Sequence, residues 1–249
     1  MLSKAKIKLI QSLQHKKYRD EHRLFLAEGN KICPEVLKSN AKIQYLIALP
    51  SWLESNNPKT SGFEIIETNE AGMKKVSQLA HPQEVMMVIE KPDHPWIPLP
   101  HKTPIIVLDG IRDPGNLGTI IRLADWFGYQ KIVLSKDSVD YFNPKVIQAS
   151  MGSFLRIDWS YFDLPEYFST LPQASVYGTF MDGKSLFRER LSDATHFVLG
   201  NEGQGISEQM LPLIHRRISI PSHPLSIAES LNVATASAIL LSELYRQGG

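Results

Sequence analysis

Cysteine is nearly absent. The 249-residue chain carries only Cys33, so neither an internal disulfide framework nor a Cys-rich zinc site can form, and a reducing cytoplasm fits that usage. Neither sign of charge is in excess: 27 Lys and Arg face 26 Asp and Glu, and a net charge of +1 by itself advertises no polyanionic partner. Long apolar runs are missing too. No stretch approaches the ~20 apolar residues of a membrane helix, and the first residues include charges without an apolar signal core, so a soluble protein with no membrane partner is expected. None of the eight histidines falls in an H-x-x-x-H or similar spacing, and no metal is expected. The glycine turn within residues 108–119 is neither G-x-G-x-x-G nor a Walker loop, so a dinucleotide or nucleotide-triphosphate assignment there would be forced.

What is present is unevenly distributed. Residues 1–42 hold ten basic side chains against four acidic ones, leaving 17 and 22 for the remainder. A basic end on a mildly acidic body suits a grip on a polyanion; a solvated lysine-rich helix face reads equally well from charge alone. At 43% hydrophobic residues the chain can build two small cores. Five prolines within "EKPDHPWIPLPHKTP" (residues 90–104) forbid regular structure and mark a linker over 93–103, between domains at 1–92 and 104–249. Ahead of it, "KAKIKLIQSLQHKKY" and "GNKICPEVLKSN" read as helices. "IQYLIAL", "FEIIET" and "EVMMVIE" read as strands, giving a small α/β unit. Behind it, apolar strands alternate with helices from "PIIVLD" onward, ending in a helix from about Ala228 to Arg246; this rhythm means a mostly parallel sheet with helices on both faces.

Three loops at strand ends could carry chemistry. In "LDGIRDPGNLGTIIRLADWFG", Asp109 closes a buried strand, a glycine turn follows, and Leu117, Ile120, Ile121, Ala124 and Phe127 form the buried stripe of the next helix. Arg122 lies on the face of Gly118 and Thr119, where it could hold a phosphate; an ordinary tight strand-to-helix turn is the other reading. In "VLGNEGQGIS", three glycines surround Glu202, either a functional carboxylate or a solvated turn residue, and Ser207 can cap the next helix. In "ISIPSHPLSIAESLNVATASAILLSEL", Ser226 and Glu229 match a capping box, Ser230 and Asn232 fall in the first turn, and the small residues that follow suit either a core helix or a subunit contact.

In this order, the three loops resemble the signature motifs of the SpoU (TrmH-like) family of S-adenosylmethionine-dependent RNA 2'-O-ribose methyltransferases. "KYRDEHRLFLAEGNKICPEVL" is similar to the L30e-like substrate-binding module that precedes this catalytic domain in many rRNA-modifying members. The resemblance implies an α/β-knot domain with a deep trefoil knot, a homodimer through that domain, and rRNA ahead of tRNA as substrate. It implies catalytic roles for Arg122, Asn116, Glu202, Ser230 and Asn232, and S-adenosylmethionine held by Leu199, Gly200, Ile220, Leu231 and Asn232. Lys17, Arg19, Arg23 and Lys31 are the RNA-contacting candidates of the basic module. One departure stands out: many members place a Met and then a Gly soon after the third-motif Pro, whereas "IPSHPLSIAESLN" lacks both and is longer, which alters the mouth of the pocket. Two competing readings are a catalytically silent RNA-binding dimer of this fold and a knotted enzyme acting on a base. Retention of Asn116, Arg122, Glu202 and Ser230 argues against the silent one.

Overall fold

A computed structural model describes residues 2–59, 62–93 and 104–248. The linker expected at 93–103 lies, from residue 94 onward, outside the described residues. The described chain divides into two compact units. Residues up to 93 together with Asp140–Leu155 form one; 104–139 together with 156–248 form the other.

The first unit runs α1 (Lys4–Ser12), α2 (Lys16–His22), β1 (Leu24–Glu28), α3 (Ile32–Lys38), β2 (Ile43–Ala48), α4 (Pro50–Asn56), β3 (Glu64–Glu67), α5 (Glu70–Val76) and β4 (Val85–Glu90). Its sheet has the order β1-β4-β2-β3, with β4 antiparallel to both neighbours and β2 parallel to β3. Ile10, Leu13, Leu26, Ile47, Met73 and Val88 belong to one buried cluster, and Ile7 packs against it, so Ile7, Ile10 and Leu13, at helical spacing, face a core. The sequence reading missed β1, α2 and α4. In β1, all five residues of LFLAE are buried, and a strand buried on both faces shows no alternation to read.

The second unit carries β5 (Ile105–Leu108), α6 (Pro114–Trp126), β6 (Lys131–Ser135), β7 (Asp158–Phe162), α8 (Leu164–Ser169), β8 (Val176–Ser185), β9 (His196–Leu199), β10 (Arg216–Ser219) and α9 (Val233–Gly248). The intervening α7 (Pro144–Ser150) and a 3-10 turn at Ser153–Leu155 count with the first unit. All strands of this second sheet are parallel, in the order β10-β8-β9-β5-β6-β7. From β5 the chain steps to β6 on one side, while β9 flanks it on the other, so the winding reverses between β5 and β9. In open parallel sheets ligands bind at the carboxyl ends of the strands at such a reversal. The first and second loops leave the sheet there.

Three local expectations are corrected. The final helix starts at Val233 rather than Ala228, because Asn232 caps it: its Oδ1 accepts from the N–H groups of Ala234 and Thr235 at 2.9 and 3.2 Å. Ser226 accepts instead from Ala228 N–H at 3.3 Å, so no capping box forms with Glu229. Ser207 precedes a 3-10 helix at Glu208–Leu213 without capping it, and its buried Oγ has no partner.

Candidate active site

The site grows from the reversal between β5 and β9. Asp109 N–H donates to the Leu199 carbonyl at 2.9 Å, and its buried carboxylate accepts from Ser207 N–H at 2.7 Å. Gly110 turns the chain at φ +72°, a backbone region that side chains rarely adopt. Its carbonyl accepts from Asn201 Nδ2 at 2.7 Å, while Asn201 Oδ1 accepts from the N–H groups of Gly203 and Gln204 at 2.9 and 3.1 Å. One carboxylate and one amide therefore brace the first glycine turn against the second. Sequence reading did not assign Asp109 and Asn201 this role; the only local signal was a polar residue one or two positions after each of two buried strands.

Asp113 caps α6 by accepting from Asn116 N–H at 2.8 Å, and Pro114 occupies the first helical position, where its missing N–H is harmless. This places Asn116 on the first turn. Its Nδ2 donates to Glu202 Oε1 at 2.5 Å, and its Oδ1 accepts from Asn232 Nδ2 at 3.0 Å. The chain has a direction. Asn232 Oδ1 is fixed by capping α9, so its amide NH2 must face Asn116; the Asn116 NH2 then faces Glu202, which accepts. Three residues from three separate loops form one oriented hydrogen-bond chain.

Arg122 is exposed on α6 and, among the described residues, has no ion-pair partner. It lines a groove of about 660 Å³ with Thr119, Trp126, Phe187, Ala238 and Glu243. The carboxylate that lines this groove is already committed. Glu243 accepts from Arg246 at 2.7 and 2.5 Å and from Gln247 at 2.8 Å, bonds that hold its carboxyl down to about 2. Arg122 thus remains a cation without an internal partner, on a surface lined partly by the exposed rings of Trp126 and Phe187.

The residues expected to hold the methyl donor are grouped differently. Leu199 is buried and Gly200 and Ile220 are half-buried, whereas Ser230, Leu231 and Asn232 are exposed. A Cβ at Gly200 would lie 2.2 Å from the Gly205 carbonyl carbon, so only glycine fits there. Residues 221–231 are all exposed, with one backbone bond from Ser226 N–H to the His223 carbonyl. Backbone of both loops is therefore open to a ligand held mainly by main-chain groups.

In the first unit Lys17 and Lys31 are exposed, and the half-exposed Arg23 pairs with Asp93. Arg19 does not fit its expected role. It is 1% exposed; Nη1 donates to the carbonyls of Leu13 and Gln14 at 2.8 and 2.7 Å, and Nε and Nη2 bind Asp140 Oδ2 at 2.9 and 2.6 Å. Arg19 is an internal strut that no RNA can reach. Among the described residues no cluster of His, Cys, Asp or Glu could hold a metal ion, and no helix is long and apolar enough to cross a membrane.

Comparison with known proteins meets this geometry. Residues 103–242 match the SpoU rRNA Methylase family, and residues 4–87 match the MRM3-like substrate binding domain. The chain is 31% identical over 247 residues to the 23S rRNA (guanosine(2553)-2'-O)-methyltransferase RlmP of Bacillus subtilis, covering 96% of this chain and 95% of that one. Its fold is similar to a putative RNA methyltransferase of the TrmH family from Porphyromonas gingivalis, with TM-score 0.87, 38% identity and 99% of each chain covered. It is also similar to the AdoMet-bound rRNA methyltransferase from Sinorhizobium meliloti, with TM-score 0.85, 30% identity, and 99% and 96% covered.

Proposed function

The chain belongs to the SpoU rRNA methylase family, and on that premise we propose that it transfers a methyl group from S-adenosylmethionine to the 2'-oxygen of a ribose in rRNA. Residues 1–92 serve as the RNA-binding module and 104–249 as the methyltransferase domain. The observation that carries this reading is the Asn232–Asn116–Glu202 chain, which unites the three loops on the helix that presents the uncommitted Arg122.

The bound donor supplies an electrophilic sulfonium methyl; everything else falls to the protein. Leu199, Gly200, Ile220, Leu231 and Asn232 would hold the donor, chiefly through backbone groups. The attacking 2'-hydroxyl must be oriented and must lose its proton as the new C–O bond forms. An arginine holds its proton too tightly to be a good base. Arg122 instead acts as a fixed cation, its guanidinium holding the adjacent phosphate and stabilising the forming alkoxide while the proton passes to a phosphate oxygen or water. Asn116 and Asn232 keep the first and third loops in register with Glu202, and Ser230, exposed beside them, orients the ribose.

We further infer a trefoil knot built from the second and third loops, in keeping with the TrmH-family likeness, and a homodimer. The dimer is supported by the exposed side chains of Trp126, Phe187 and Tyr245 on or beside the groove between α6 and α9. The single buried thiol, Cys33, suits a reducing compartment, and we place the enzyme in the cytoplasm. The test is transfer of a labelled methyl group from S-adenosylmethionine to rRNA from cells lacking this protein, followed by nuclease digestion and mass spectrometry of the nucleosides. The label is expected on the sugar fragment. Label on a base, or no transfer with donor bound, would overturn the assignment.

A further inference from the structure

The most basic part of the chain also carries an exposed row of rings. On α2, His15, Tyr18 and His22 fall at i, i+3 and i+7, one stripe of the helix. The Tyr18 and His22 rings stack at 6.4 Å with 16° between their planes, and His15 meets Tyr18 edge-on at 6.3 Å. Both histidines are exposed, and Tyr18 is 37% exposed. Lys17 Nζ lies 5.7 Å from the Tyr18 ring centre.

The charges on α2 are mixed, with exposed Glu21 beside His22 as well as the lysines. Asp20 is neutralised by Lys91 at 2.5 Å, while among the described residues Lys16 and Lys17 have no ion pair. Beneath the stripe, the four hydrogen-bonded contacts of Arg19 lock the helix in place, so the rings are carried on a fixed support.

We infer that the solvent face of α2 is a stacking platform for unpaired bases of an RNA strand. Every base offers a π-face, and successive bases stack on aromatic rings while lysines beside them track the phosphates. A duplex cannot use such a stripe, because its bases are already stacked on one another. The inference rests on the RNA-modifying function proposed above and names the part of the substrate that this module reads: a loop, bulge or flap beside the target nucleotide.

The test uses the full chain with a fluorescein-labelled 20-nucleotide oligoadenylate, and a blunt RNA duplex of equal length as control. Tyr18→Ala should weaken single-strand binding by about 5-fold or more. Tyr18→Trp should restore it to within about 2-fold, since it keeps a ring there. Binding to the duplex should stay within about 2-fold for both. Lys16→Ala/Lys17→Ala should weaken both RNAs and flatten their salt dependence. Should Tyr18→Ala destabilise the protein, His22→Ala provides the same comparison. Single-strand binding unchanged in Tyr18→Ala and His22→Ala, or a partner-protein contact that those changes abolish while RNA binding persists, would overturn the platform. A wild-type protein that methylates rRNA but ignores the oligonucleotide overturns the platform alone. One that neither binds nor methylates rRNA overturns the proposed function with it.

Discussion

Arg19 and Arg122 each sit on a helix in their respective units, and in sequence both look like cations offered to a polyanion. Their surroundings could hardly differ more. Arg19 is 1% exposed and spends its donors on Leu13, Gln14 and Asp140. Arg122 is exposed with no ion pair among the described residues, and the carboxylate lining its groove, Glu243, is held by Arg246 and Gln247. A buried arginine must satisfy itself internally, because an unpaired charge in the interior costs several kcal/mol. An arginine kept for a ligand needs the reverse: every nearby carboxylate must be engaged elsewhere. The first pattern builds a fold, and the second builds a site.

Four substitutions break or sharpen that contrast, in descending order of effect. Arg19→Ala strands Asp140 in the interior and should destabilise the first unit by about 3–5 kcal/mol in urea titration; an Arg19 that served RNA instead would leave stability untouched and weaken binding. Arg122→Ala should lower kcat about 10²–10³-fold. Its stability should stay within about 0.5 kcal/mol of wild type, as for a surface change that removes no internal contact. Asn232→Ala removes both the cap of α9 and the first link to Asn116. Loss of the cap should cost about 1 kcal/mol of stability, and the slackened loops should lower the rate about tenfold in single-turnover assays. Arg246→Ala should have the smallest effect. It frees Glu243 to compete for Arg122, lowering activity by about 3-fold, and Glu243→Gln in the same protein should restore it, a coupling that a double-mutant cycle measures directly.

Much of the architecture was legible because it repeats. Leu117, Ile120, Ile121 and Ala124 recur at the helical period and are all fully buried in α6, and "PIIVLD" is continuous because β5 is buried on both faces. What could not be read was partnership at long range. Nothing near Arg19 announces Asp140, 121 residues away, so its basic neighbourhood suggested a surface cation. The start of α9 was misplaced for a related reason. Ser226-x-x-Glu229 satisfies a local capping pattern, but Asn232 caps two amides and also reaches Asn116, 116 positions earlier, a gain invisible in the local sequence. The three loops were individually ambiguous and informative as a set, because the reversal between β5 and β9 brings the first two together and Asn232 ties the third to Asn116. Asp109 and Asn201, which brace those loops, lie inside the quoted motifs yet carry no spacing that marks them.

The central claim is that an arginine left free by its own fold serves ribose methylation in rRNA. Its most direct test is a nucleotide-resolution map of 2'-O-methylation in total RNA from cells with and without this protein, complemented by wild type or Arg122→Ala. The account predicts that one rRNA ribose mark disappears, returns with the wild-type protein and stays absent with Arg122→Ala. Identical maps, a lost mark that lies on a base, or full restoration by Arg122→Ala would contradict it.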